Sequence, residues 1–246
     1  MSAFSMTIYT LDQIHSNEIG EQFLAILDKN HFTPKKIGTY QPLKQEFSSS
    51  KFLSLWTEES EGCYEEGSGM VGKAGGLMAT RKTPYFHFQM NWWLHPDKSN
   101  LNCISFQFTA KTMHENTEEV LNVFRETTVL LNSIYGYITH NVPLDRQHVT
   151  GTLRTRLPGI FWCNYFGELY VDFFGKEIIT SYPWHRIEPL ASGILTFLTP
   201  EPSLEIVKSD ELESHVKKHL GIVAFGDLAE YRANPDILQE RKAPDL

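Results

Sequence analysis

Hydrophobic and polar positions alternate most cleanly from Pro84 onward. Phe86, Phe88, Met90, Trp92 and Leu94 hold one register and Tyr85, His87, Gln89, Asn91 and Trp93 the other, the period of two expected of a half-buried strand. Ile104, Phe106 and Phe108 repeat the pattern against Cys103, Ser105, Gln107 and Thr109, and the HPDKSN stretch between the two runs predicts an antiparallel hairpin.

Other segments carry the helical period. A short strand around Met6 to Tyr9 precedes a helix capped by Ser16, with Glu18 in its first turn and Ile19, Phe23, Ile26 and Leu27 on one stripe. Asn116 and Glu119 fit the ends of a capping box for a second helix, which Val120, Phe124, Leu131 and Ile134 line and Gly136 ends in a left-handed position. A third helix takes Ser209 as N-cap, Asp210 and Glu211 in its first turn, Leu212, Val216 and Leu220 on its stripe, and Gly221 as its stop. Between these lie short strands at Tyr137 to Thr139, His185 to Glu188 and Ile194 to Leu198, with a turn at Ala191-Ser192-Gly193. Asn141 to Pro158 reads as a polar crossover carrying Arg146, Arg154 and Arg156.

The densest apolar stretch is Leu157 to Gly175, with seven aromatics between Phe161 and Phe174. Apolar positions on both sides of Asn164 predict a strand that crosses the core into a buried helix. From His31 to Thr83 the periodicity fades into an acidic run and a Gly-rich run, with one short helix around Ser49 to Trp56; residues 31–83 are expected to form an insertion or a surface lobe. The last dozen residues, 235–246, read as a frayed tail. The element order is that of a single α+β domain over residues 1–246, a mostly antiparallel sheet with helices packed on one face, and it admits two related βαββα units.

Composition narrows the function classes. Of 246 residues, 41% are hydrophobic and 21% charged, ordinary for a globular chain that needs no metal or disulfide to hold its core. Cys63, Cys103 and Cys163, spaced 40 and 60 apart, fit neither a disulfide framework nor a zinc site and are expected as reduced thiols. The first eighteen residues lack a basic segment and a signal-peptide apolar run, and no stretch approaches the roughly 18 apolar residues of a membrane span, so a cytoplasmic protein is expected. A formal net charge of -8 argues against nucleic acid or a membrane as partner and suits a basic one.

The candidate chemistry is sparse. Gly67, Gly69 and Gly72 satisfy G-x-G-x-x-G, but an acidic segment precedes them, no acid follows until Asp97, and Ala74 stands where a P-loop needs a hydroxyl; a flexible loop is the expectation. His114-Glu115 with Glu118 lacks the second His of a metalloprotease helix. His215 and His219 share a helix face and suit either one metal or the helix C-terminus. With no G-x-S-x-G elbow, no C-x-x-C and no base beside a cysteine, the sequence supports no catalytic residue, no metal ligand set and no cofactor. Glu58, Glu59, Glu61, Glu65 and Glu66 stand in a stretch from Phe52 to Gly72 without Lys or Arg, which is either a solvated surface or an electrostatic docking patch.

Several ordered segments resemble the immunity proteins of bacterial polymorphic-toxin systems, above all the immunity protein 52 family and related type VI secretion immunity proteins. They are NWWLHP, LNCISFQF, the helix leading into YGYITHN, GIFWCNYFG, and HRIEPLASGILTFLTPEP with the final helix. The resemblance covers Pro84 to Gly221 and is most specific from Gly159 to Pro202. It implies a small cytosolic α+β protein that binds and neutralises a cognate toxin with no reaction of its own; it carries no binding residues over. The alternative is a small-molecule or metal-binding protein or hydrolase with a pocket beside the aromatic block, His215 and His219 holding the metal.

Overall fold

The computed structural model describes residues 3–59, 61–65, 69–95, 99–147, 153, 156–202, 210–225, 243–244 and 246, and for 61–65 and 69–71 the backbone alone. The chain divides into two compact units, Met1–Ser133 and Ile134–Leu246. Both combine helices with antiparallel strands, so the fold is α+β as expected.

The first unit runs β1 (Phe4–Thr10), α1 (Asn17–Lys29), β2 (Lys36–Gly38), β3 (Gln45–Glu46), α2 (Ser49–Thr57), β4 (Glu61–Glu65), β5 (Gly69–Lys82), β6 (Tyr85–Leu94), β7 (Asn102–Phe108), α3 (Ala110–Glu115) and α4 (Thr117–Leu130). Its strands lie in the order β1-β7-β6-β5-β2-β3, with β4 paired to β5 beyond β2 on the same edge. The expected hairpin is present, Phe86 facing Phe108 and Asn91 facing Cys103 across β6 and β7. Phe86, Phe88, Met90 and Trp92 line up with Leu77, Ala79, Ile104, Phe106, Phe108, Phe4, Met6 and Ile8 as one buried apolar face. Onto it pack Phe23 of α1, stacked on Phe88 at 5.2 Å, and Trp56 of α2, whose indole N–H donates to the Ile14 carbonyl at 2.7 Å.

Residues 31–83 therefore do more than decorate the surface. They supply β2 to β5 to the sheet and the fully buried Phe52 and Trp56 to the core. Gly67 lies outside the described residues, but Gly69 and Gly72 belong to β5, not to a flexible loop. The glycines hide the strand because they lack side chains to alternate, and at Gly75 that lack is required: a Cβ there would collide with the Trp92 ring and the Glu58 carbonyl.

The helix around Asn116 is also corrected. Asn116 does precede α4, but its amide donates to the Thr112 carbonyl at 3.0 Å and makes no cap bond, so no capping box forms. The helix ends before Asn132, which takes the left-handed conformation at φ 44°, and Gly136 lies inside the next strand. Asn is the non-glycine residue best suited to that conformation, so the stop comes earlier than the nearest glycine suggests.

The second unit runs β8 (Tyr135–His140), α5 (Asn141–Gln147), β9 (Cys163–Phe166), α6 (Glu168–Phe174), α7 (Lys176–Ser181), β10 (Arg186–Leu190), β11 (Gly193–Phe197) and α8 (Glu211–Leu220), in sheet order β10-β11-β9-β8. The aromatic block is the expected strand and helix, β9 and α6, with Phe161, Trp162, Tyr165, Phe166, Tyr170 and Phe174 buried. The turn at Ala191-Ser192 closes the β10–β11 hairpin, and Gly221 ends α8 at φ 110°, a conformation that favours glycine. Ser209, Arg154 and most of the 235–246 tail lie outside the described residues. A βαββα order with the same pairing can be traced in each unit: β1, α1, β6, β7 and α4 lie in the sheet order β6-β7-β1, and β9, α6 with α7, β10, β11 and α8 in the order β10-β11-β9, the last strand of each pairing antiparallel with the first.

Candidate partner-binding face

A strand shows alternate residues to opposite faces, so burying one face of the first unit under helices commits the other register to a second face. That register is polar. Its rows across the ladders read Ser5, Gln107, His87, Thr80, Lys36 and Glu46; then Thr7, Ser105, Gln89, Met78 and Gly38; then Tyr9, Cys103, Asn91 and Gly76. The second and third of these rows hold no Asp, Glu, Lys or Arg. Gln89 donates to Asn91 at 3.2 Å, Asn91 approaches the Cys103 sulfur at 3.9 Å, and Ser105 donates to Thr7 at 3.4 Å. Burial pushes the Cys103 thiol pKa up, against a smaller downward pull from the Asn91 amide, and burial pushes His87 down, so both are held toward their neutral forms.

Next to the amides the face is hollow. A cavity of about 190 Å³ is lined by Thr39, Gly76, Met78, Gln89, Asn91 and Trp93 among others. Gly76 is part of its wall, and a Cβ there would stand 3.0 Å from both Asn91 Oδ1 and the Met90 carbonyl oxygen. Trp93 forms one wall and is 43% exposed, while Tyr40, next to Thr39, is 73% exposed. A second hollow, of about 330 Å³, lies where β2 and β5 meet, lined by Lys35, Lys36, Arg81 and Lys82 with Thr80 and Thr83.

The acidic run sits at one end of this unit. Glu58 and Glu59 follow α2 and are exposed; Glu61 and Glu65 lie on β4, where only the backbone is described, and Glu66 lies outside the described residues. The run is not free of cations as the sequence window suggests, since Lys73, one residue past that window, pairs with Glu59 at 2.7 Å. The antiparallel pairing of β4 with β5 brings it back.

The remaining candidates separate. His114 and Glu115 close α3 while Glu118 opens α4, so the three share no helix. His215 is exposed, and His219 Nε2 lies 2.9 Å from the Ile178 carbonyl and 3.1 Å from Ser181, fastening α8 to the end of α7. Among the described residues no group of three His, Cys, Asp or Glu side chains comes together as a metal site, and no helix is long and apolar enough to cross a membrane. Cys103 and Cys163 are free thiols. Arg146 of the crossover reaches Glu213 of α8, Nη2 to Oε1 at 2.5 Å, an ion pair whose carboxylate is buried. Gln89, Asn91, Trp93 and Gly76 belong to no motif; the signal for the first three is the polar register of β6 itself, which ends in an unexpected Trp, whereas Gly76 of β5 carries no such signal.

No protein-family model matches the chain, and no curated protein matches it. Among solved structures the chain is similar to the Pseudomonas aeruginosa T6SS protein PA0821, with a TM-score of 0.56 and 11% identity over 89% of this chain and 73% of that one. At that identity the likeness is one of fold, and it extends over more of the chain than either unit alone supplies.

Proposed function

We propose that this protein is an immunity protein of a type VI secretion system, which binds a cognate toxin in the cytoplasm and blocks it by forming a complex, without catalysis or a cofactor. The observation that carries the reading is the fold shared with a T6SS protein over most of the chain. The segments from Gly159 to Pro202 that resemble immunity proteins support it, and the first unit offers a broad polar face for a protein partner. The immunity protein 52 assignment and a basic toxin are the finer forms of the same proposal.

The test is growth and complex formation. Cells making the product of the neighbouring gene are expected to stop growing, and to recover when this protein is made with it, the two then eluting together on gel filtration. Continued killing with no shared peak overturns the reading.

A further inference from the structure

We infer that the hollow where β2 and β5 meet binds a small organic anion, a flat apolar body bearing a phosphate-type dianion. The inference goes beyond the neutralisation reading and stands apart from the aromatic block.

The site is built at a strand end. β2 starts at Lys36, opposite Thr80, while β5 runs on to Lys82. Both registers of β5 therefore reach one hollow of about 330 Å³, which Lys35, Lys36, Arg81 and Lys82 line together with Thr80 and Thr83. The hollow opens to solvent, since Lys35, Lys36, Lys82 and Thr83 are all exposed. Ligand pockets run from about 300 to 1,000 Å³, so this one suits a small ligand.

Four cations and no carboxylate line it, in a chain whose formal net charge is -8. Among the described residues none of the four is in an ion pair, although Glu46 stands opposite Lys36 in the β2–β3 register. Like charges gathered in this way repel, and a bound anion removes that cost. Arg81 is already ordered: Nε donates to the Thr83 carbonyl at 2.7 Å, and Nη1 to the His31 and Thr33 carbonyls at 3.0 and 3.3 Å. Those carbonyls fix the guanidinium plane without cancelling its charge, and they leave the N–H groups of Nη2 for an incoming oxygen. Lys35 is fixed at its backbone, its N–H donating to the Thr80 carbonyl at 2.9 Å and its carbonyl accepting from the Phe47 N–H at 3.0 Å. Order present before the ligand arrives reduces the entropy lost on binding.

The wall sets the rest of the ligand's chemistry. Its exposed lining is nearly all carbon, as expected where Lys and Arg lay their methylene stems along a surface and keep their charged ends in water. An inorganic ion leaves that wall wet, and an uncharged aromatic leaves the cations unmet. A ligand that joins an apolar body to an anionic head satisfies both, and a dianionic head gains more from the same cations than a carboxylate does.

Titration calorimetry of the full chain at low ionic strength tests the site, with naphthyl phosphate as the probe and inorganic phosphate and naphthol as its two halves. Naphthyl phosphate is expected to bind at least tenfold more tightly than either half, and to weaken as salt rises because the cations are exposed. Lys35→Gln with Lys82→Gln is expected to keep the parent's melting temperature and to lose about tenfold or more in affinity, the effect of removing one charge-assisted contact. Lys111→Gln with Lys176→Gln removes the same charge from exposed positions on α3 and α7 and is expected to bind as the parent. If the Lys35 and Lys82 pair fails to fold, Lys82→Gln alone decides by the same loss. Naphthyl phosphate binding no better than its halves, parent-like affinity after the Lys82 change, or an equal loss in the Lys111 and Lys176 variant overturns the site. The neutralisation reading is scored separately, by growth and gel filtration, and survives each of these outcomes.

Discussion

Gln147 grips the backbone of Ile160 with both ends of its amide, donating to the carbonyl at 2.7 Å and accepting from the N–H at 3.0 Å. The neighbours of Ile160 are held the same way: Tyr135 donates to the Gly159 carbonyl at 3.1 Å, and Asn164 bonds both the N–H and the C=O of Phe161 at 2.8 Å. An irregular segment is thus buried with its polar groups satisfied by side chains where no ladder can serve them. Gln147→Ala should strand two buried groups at about 1–3 kcal/mol each, a loss visible as a lower urea midpoint with an unchanged slope. A parent-like midpoint would mean that the segment is not fixed by this amide.

The aromatic block that follows is core. Trp162 is 2% exposed, packs edge-on against Phe197 at 5.7 Å and donates its indole N–H to the Thr199 carbonyl at 3.1 Å. Trp162→Ala is expected to cost about 3–5 kcal/mol of the ~5–15 kcal/mol that holds a domain together, with a sharply lower melting temperature and less soluble protein. A variant that melts like the parent and yet loses its toxin would make the block an interface.

What the sequence revealed and what it hid divide along physical lines. The β6–β7 hairpin was legible because period two is written in large side chains on both strands, and α1 because Ser16 caps it, accepting from the Ile19 N–H at 3.2 Å. β5 was not legible, since its glycines answer to groups distant in the chain, Gly75 to Trp92 and the Glu58 carbonyl, Gly72 to the Leu94 carbonyl and Gly76 to Asn91. The end of α4 was misplaced because Asn132 does the work expected of Gly136. The candidate face was half visible: Gln89, Asn91 and Trp93 were plainly on one register, but Gly76, which lines the hollow with them, comes opposite Asn91 only through the strand register. The acidic run looked unpaired because Lys73 returns to Glu59 through a hairpin no local window shows.

Glu213 gives the second unit a pH signature. Burial raises its pKa above the ordinary 4.5, more than the Arg146 hydrogen bond and charge lower it. The native state therefore holds this proton more tightly than the unfolded chain does, so the associated stability is fully present below the unfolded pKa and is lost as pH rises through the native one. Most carboxylates with native partners slope the other way, so the difference between parent and Glu213→Gln isolates this group. The parent should lose stability relative to Glu213→Gln as pH rises from about 4, read from urea midpoints at successive pH values. A constant difference, or one of opposite sign, would show that Arg146 outweighs burial.

Gly75 distinguishes a packed strand from a loose glycine-rich loop. Its α-carbon faces the Trp92 indole, which also stacks on His15 at 4.4 Å, and the backbone carbonyl of Glu58 closes the other side. An alanine methyl has to displace the indole, a core group held by its stack, or move main chain at the end of α2. Overpacking of that kind costs about 1–3 kcal/mol. In a mobile loop the same change is neutral or stabilising by about 0.4–1 kcal/mol, because alanine restricts the unfolded chain more than glycine does. The two cases differ in sign, so a urea titration of Gly75→Ala decides between them: a lowered midpoint places this glycine in the wall of the core, and an equal or raised midpoint returns the run to the loop that its composition suggests.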